Sequence, residues 1–283
     1  MAIQVRELSH IYSPGMPDEQ VALENINFEI YDNEVIGIIG HTGSGKSTLL
    51  QHLNGLLKAT TGSIVIGGTD ITKPGVVMRD IRRKVGLVFQ YPEYQLFEET
   101  VAKDVAFGPG NLGLSDEEIE TRVKDSLELV GLDYEAIKDR SPFELSGGQK
   151  RRVAIAGVIA MKPQVLILDE PTAGLDPGAH KDILEMIRNI HESERNIIIF
   201  VSHNMADIAD LADRIMVLDH GKMIMMGTPK EVFGQESRLK DIGLSVPPIT
   251  ALMNELAESG LDVPSGITDI KQAKEELYRL LSR

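Results

Sequence analysis

Val35-Ile36-Gly37-Ile38-Ile39 runs directly into Gly40-His41-Thr42-Gly43-Ser44-Gly45-Lys46-Ser47-Thr48. The first five residues, apolar and largely β-branched, predict a strand buried on both faces. Ser47–Leu57, which follows the glycines, reads as a helix. A glycine-rich turn between a buried strand and a helix lets backbone N–H groups close round phosphate oxygens, and the helix dipole adds to the attraction. In the pattern G-x-x-x-x-G-K-[ST], Lys46 reaches the β- and γ-phosphates and the Ser47 hydroxyl ligates Mg²⁺. A tight turn alone would not need the Lys-Ser pair. Gly40 to Thr48 is therefore the expected nucleotide-binding segment. His41 and Thr42 occupy its variable positions, and no chemistry is assigned to them.

Short apolar runs of the same kind recur at Val85–Phe89, Val165–Leu168, Ile197–Val201 and Ile215–Leu218. They lack alternation, as expected of strands covered on both faces. Helical patterns separate them. Ser115-x-x-Glu118 predicts a capping box, with Ile119, Val123, Leu127 and Val130 on one stripe and Gly131 where a helix-ending glycine belongs. This alternation predicts an α/β domain with a mainly parallel core sheet. Ile3–Val5, Ile26–Ile30 and Ser63–Ile66 read as shorter strands of an antiparallel flank. Around Gly234–Pro248 the pattern changes. Ile249, Leu252, Met253 and Leu256 recur at helical spacing, and Ile270, Ala273, Leu277, Leu280 and Leu281 make a second stripe. Two short amphipathic helices are too small to fold alone. Residues 234–283 are accordingly expected to form an appendage that packs on the core or on a partner.

Val165-Leu166-Ile167-Leu168-Asp169-Glu170 is a buried strand that ends in adjacent carboxylates. Neighbouring side chains on a strand point apart, so the two can divide labour. Asp169 suits the magnesium ion. Glu170 suits the water that attacks a γ-phosphate, as general base or positioning group. Further along, Leu145-Ser146-Gly147-Gly148-Gln149 opens a helix that continues through Lys150-Arg151-Arg152-Val153. Small residues at a helix N-terminus make a second anion cradle. For any other pentapeptide, a glycine cap with a solvated basic turn would be the better reading. Between the two motifs, Gln90 to Val101 sets Tyr91, Tyr94 and Phe97 beside Glu93, Glu98 and Glu99. That composition predicts a docking groove for a partner helix, with Tyr94 and Glu98 as contacts and the acids receiving arginine or lysine.

The chain has 283 residues, no cysteine and a net charge of −14. Its length accommodates one large domain with a small addition. Absence of cysteine excludes disulfides and thiolate metal sites. The acidity argues against nucleic acid and anionic lipid as partners. It is that of a soluble surface, or locally of a surface for a basic segment. No leader with the pattern of a secretion signal opens the sequence, and no apolar run approaches the ~20 residues of a membrane span. Any membrane role is expected to be peripheral.

Together, Gly40–Thr48, Asp169-Glu170 and Leu145–Gln149 resemble the ATP-binding-cassette (ABC) ATPases over roughly residues 1–233. The resemblance implies an α/β P-loop NTPase fold, with a helical subdomain at about residues 91–162 that carries the pentapeptide. It implies that Ser146, Gly147, Gly148 and Gln149 of one subunit close over ATP on the loop of another. Gln90 matches the γ-phosphate-sensing glutamine, which with Ser47 and Asp169 surrounds Mg²⁺. His203 matches the switch histidine, Asp176 lies in the loop that crosses the dimer interface, and Tyr12 resembles the aromatic that stacks on adenine.

Gln90–Val101, Phe107-Gly108-Pro109-Gly110-Asn111, Gln149–Gly157 and the two-helix tail are similar to the energy-coupling factor (ECF) transporter ATPases, closer to the second, A-prime type. That implies a heterodimer with a paralogous ATPase, peripheral on the cytoplasmic face of the cell membrane. The pair would bind coupling helices of a transmembrane energising subunit that holds a substrate-capture membrane subunit, for vitamins or transition-metal ions. The tail helices would contribute to the ATPase–ATPase contact. The alternatives are a conventional ABC transporter ATPase and a soluble ABC ATPase acting as a clamp.

Overall fold

The computed structural model describes residues 2–281. Its strands are β1 (Ile3–Tyr12), β2 (Gln20–Ile30), β3 (Val35–Ile39), β4 (Thr61–Ile66), β5 (Thr69–Asp70), β6 (Val85–Val88), β7 (Val165–Asp169), β8 (Ile197–Val201), β9 (Arg214–Asp219) and β10 (Lys222–Gly227). Six of them form the central sheet in the order β10-β9-β3-β8-β7-β6. The pairings from β9 to β6 are parallel, and β10 closes the edge antiparallel to β9. β2-β1-β4-β5 make a separate antiparallel sheet. The α/β fold and its antiparallel flank are those expected from the sequence. The flanking strands extend further than predicted, β1 to Tyr12 and β2 back to Gln20. β5 and β10 were not foreseen.

Alternation along the parallel strands divides the apolar residues between two cores. Val35, Ile39, Leu166, Leu168, Ile198, Phe200, Ile215 and Val217 face the helices Pro177–Glu194 and Gly147–Ile159. Ile36, Ile38, Val165, Ile167, Ile197, Ile199, Met216 and Leu218 face the antiparallel sheet and the helix Lys46–Leu53. Both faces are covered, so unbroken apolar runs are what these strands require. The helix after the phosphate loop ends at Leu53, not Leu57 as predicted. Gly55 takes φ +70°, and the Leu56 N–H returns to the Gln51 carbonyl at 2.8 Å, a glycine-closed end that the apolar pattern alone did not reveal.

The helices Val101–Gly110, Asp116–Leu129 and Gly147–Ile159 form a lobe around Val105, Val123, Leu127 and Val153. Ser115 and Glu118 make the expected capping box, and Val123, Leu127 and Val130 are buried as the stripe required. Beyond β10, Val232, Phe233, Leu239, Leu244 and Val246 belong to the main core. Met253, Val263, Ile267 and Ala273 make a small core of their own between the helices Pro248–Glu258 and Ile270–Leu281. Asn254 joins the two regions, donating to Glu236 at 2.5 Å and accepting from the Gly266 N–H at 2.9 Å. Ile270, Leu252 and Leu281, counted in the predicted apolar stripes, lie exposed.

Candidate active site

The carboxyl ends of the parallel strands meet along one edge of the central sheet, where α/β sheets place their ligands. β3 delivers the glycine loop, β6 leads to Gln90, β7 ends in Asp169-Glu170, and β8 is followed by Ser202-His203. Register fixes their level, since Val88 pairs with Leu168 and Asp169 with Val201.

Gly40 packs so tightly that a Cβ there would lie 2.3 Å from the Leu218 carbonyl oxygen and 2.4 Å from Ser44 Oγ. Gly43 and Gly45 take φ +81° and +102°. Only glycine gives the loop this backbone cheaply. Lys46 is buried, and its ammonium donates to the carbonyls of Gly40 at 2.7 Å and His41 at 3.0 Å. Burial pushes Lys46 below the ordinary lysine range, while the carboxylates of Glu170 and Asp169 pull it back. Ser47 Oγ donates to Asp169 at 3.1 Å. Burial also pushes Asp169 above the usual carboxylate range; the Ser47 hydrogen bond opposes this and the charge of Glu170 adds to it. The Ser47 hydroxyl, the Asp169 carboxylate and the amide oxygen of Gln90 are hard oxygen donors of the kind Mg²⁺ takes. Ser44 Oγ is buried without a protein partner, which fits a loop built for phosphate oxygens.

Glu170 stands in the left-handed region at φ +51°. Such strain in a non-glycine residue persists where the surroundings impose it, commonly at functional sites. Its two carboxylate oxygens are held from opposite sides. Gln90 Nε2 donates to one at 2.9 Å, and His203 Nε2 lies 2.9 Å from the other. Three residues predicted separately are thus brought together at one carboxylate. Tyr12 ends β1 beside the phosphate helix, its hydroxyl 3.3 Å from Thr48 Oγ1.

Ser146 caps the helix Gly147–Ile159 in a second capping box, accepting from the Gln149 N–H at 3.3 Å while Gln149 Oε1 accepts from the Ser146 N–H at 3.1 Å. A Cβ on Gly147 or Gly148 would meet nothing within 4 Å, so this helix start is an open surface. Among the described residues, no hydrogen bond or ion pair joins Ser146–Gln149 to the phosphate loop. Asp176 is exposed and caps its own helix, accepting from Gly178 and Ala179 at 2.9 and 3.1 Å.

Arg151 follows the pentapeptide between Lys150 and Arg152 and is only 2% exposed. It grips Glu93 through Nε at 3.0 Å and Nη2 at 2.8 Å, and donates to the carbonyls of Pro171 and Ala173 at 3.1 and 2.8 Å. One side chain ties the pentapeptide helix to the segment after Gln90 and to the turn after Glu170. Glu93, placed by the sequence reading in an acidic docking rim, is turned inward to it. Glu99 pairs with Lys103 at 2.7 Å. Tyr94, at 84% exposed, Phe97 and Phe107 remain on the surface, with Phe97 edge-on to Phe107 at 5.0 Å. Glu98 makes no ion pair among the described residues.

The sequence profile of the ABC transporter family matches residues 23–173. The energy-coupling factor transporter ATP-binding protein EcfA2 of Caldanaerobacter subterraneus subsp. tengcongensis is 59% identical, over 99% of this chain and 98% of its own length. That of Clostridioides difficile is 56% identical over the same shares. Among solved structures, cbiO1 from Clostridium perfringens, part of the ABC transporter complex cbiONQ, superposes with a TM-score of 0.76 at 39% identity, covering 89% of this chain and 98% of that one. The ATP-binding cassette MJ0796, in a dimer bound to ADP and Pi, gives a TM-score of 0.70 at 28% identity, covering 80% and 98%. Likeness that runs through the tail helices separates the chain from a conventional transporter cassette and from a soluble clamp. The chain is an ABC ATPase and, within that family, a member of the ATP-binding, ATP-hydrolysing subunits of energy-coupling factor transporters.

Proposed function

We propose that the chain cleaves ATP to ADP and phosphate on Gly40–Thr48, in a site completed by the Ser146–Gln149 segment of a paralogous partner. The clamp of Gln90 and His203 on Glu170 carries this reading. Glu170 then aims at a water in line with the γ-phosphate and takes its proton as attack proceeds. Lys46 exchanges its two loop carbonyls for phosphate oxygens. Ser47, Asp169 and Gln90 would hold a Mg²⁺ ion, which would neutralise phosphate charge. Arrival of the γ-phosphate gives Gln90 and His203 new partners, which frees the carboxylate for its water. Tyr12 would stack on the adenine ring, and Asp176 would meet the facing subunit.

In this reading the pair sits peripherally on the cytoplasmic side of the cell membrane. No helix among the described residues is long and apolar enough to cross it. Tyr94, Phe97 and Phe107 receive a coupling helix of a transmembrane energising subunit, with Glu98 as the remaining acid for a basic residue. That subunit holds a substrate-capture membrane protein for vitamins or transition-metal ions. The appendage, 234–283, presents Ile270 and Leu281 to the paralogue.

Glu170→Gln tests the chemistry. It should lower ATP turnover by about 100-fold or more while Mg-ATP still binds. Undiminished hydrolysis, measured as phosphate release by the assembled complex, would remove Glu170 from its role.

A further inference from the structure

The His41 side chain has no part in the chemistry above, yet both of its ring nitrogens are engaged. Nδ1 lies 2.7 Å from the Thr42 carbonyl oxygen and Nε2 lies 2.7 Å from Asp219 Oδ1. A carbonyl can only accept, so Nδ1 carries the proton. In the neutral ring, Nε2 then turns its lone pair toward a carboxylate oxygen, and two acceptors face each other at hydrogen-bond distance. A cation resolves that opposition. His220 brings a third donor atom to the same place. Its Nε2 is 3.8 Å from Asp219 Oδ1, its ring centroid is 4.8 Å from that of His41, and the donor atoms of all three side chains lie within 4.8 Å of one another.

We propose that His41, Asp219 and His220 bind a transition-metal dication such as Zn²⁺, Co²⁺ or Ni²⁺ at the foot of the phosphate loop. Two imidazoles and one carboxylate select these metals over Mg²⁺ or Ca²⁺, which prefer oxygen alone. Bonds of ~2.1 Å place tetrahedral donors about 3.4 Å apart, within the spread of separations found here. His220 is largely exposed and reaches that geometry by side-chain rotation. The bond from His41 Nδ1–H to a backbone carbonyl is the outer contact that fixes the tautomer of a metal-binding histidine. The scaffold is firm. Asp219 ends β9, and the next turn is anchored by the Gly221 N–H, which donates to the Ser44 carbonyl at 3.1 Å. The His41 carbonyl itself accepts from Lys46. An ion held here pins the β9–β10 hairpin to the loop that cradles phosphate, at a place separate from the Mg²⁺ donors.

The test is a calorimetric titration of Co²⁺ alone into the full, tag-free, chelator-stripped and nucleotide-free chain, with the visible absorption of the bound ion followed in parallel. The expected result is one saturable Co²⁺ per chain with nitrogen-ligated bands, weakened about tenfold or more by Asp219→Asn or His220→Asn. Asparagine suits the positive φ of +44° at position 220, and an unchanged melting temperature would show that variant folded. No saturable binding, or equal affinity in the wild type and His220→Asn, would overturn the proposal and leave a plain imidazolium–carboxylate pair.

Discussion

Arg151 donates to Glu93 on the segment after Gln90 and to two carbonyls of the turn after Glu170, all from the buried side of the pentapeptide helix. Arg151→Met leaves a carboxylate and two carbonyls without their donor, and should destabilise the chain by about 3–5 kcal/mol in chemical denaturation. Adding Glu93→Leu should recover part of that loss, because the uncompensated charge is then gone. Burial raises the Glu93 carboxyl, but the hydrogen bond and charge of Arg151 outweigh it and hold the group below the ordinary carboxylate range. This pair was not legible in the sequence. Arg151 sits among Lys150 and Arg152, and its partner lies 58 residues away, beyond any local pattern. Lys46 was fully legible, because the motif specifies it. Its lowered pKa means that its charge is lost at a lower pH than an ordinary lysine's. kcat/KM for Mg-ATP should therefore fall along an alkaline limb below the usual lysine range as pH rises. Lys46→Arg, slower but permanently charged, should move that limb upward. An unmoved limb would assign it to another group.

At the scale of elements, the glycine loop is wedged between β3 and β9 with no space for a methyl group at Gly40. Gly40→Ala sets a Cβ against a backbone carbonyl in the central sheet, where no rotamer change can relieve it. It should cost about 1–3 kcal/mol in thermal or denaturant unfolding and weaken ATP binding about tenfold or more. Binding as tight as in the wild type would mean that the loop shifts freely. The parallel strands were readable because each is a doubly buried apolar run, and burial of all five residues in β3 and in β8 is that pattern realised. β10 was not readable. Lys222 to Gly227 packs an edge, stays half-buried, and carries three methionines beside a single β-branched residue, Ile224. Its one signal was the Asp219-His220-Gly221-Lys222 turn, in which His220 and Gly221 both take positive φ. The overlong helix after the loop has a similar cause. Leu56 and Leu57 continue an apolar pattern that Gly55 interrupts.

For the molecule as a whole, the glycine loop and the helix start at Ser146–Gln149 lie on different elements, unconnected by hydrogen bond or ion pair among the described residues. Exposed apolar groups include the Tyr94–Phe97–Phe107 surface and, on the final helix, Ile270 and Leu281. The acids beside Tyr94 marked it as a surface group in the sequence, whereas the exposure of Ile270 and Leu281 was hidden, because an apolar stripe reads alike whether it meets its own core or another chain. On the proposed function, Ser146–Gln149 acts on a nucleotide bound to the facing subunit. Ser146→Arg tests it most directly, with ATP affinity measured in the isolated chain and turnover measured in the complex with its paralogue and membrane subunits. Affinity in the isolated chain should be unchanged, and turnover in the complex should fall about tenfold or more. Weakened ATP binding by the isolated chain, or full turnover in the complex, would contradict it.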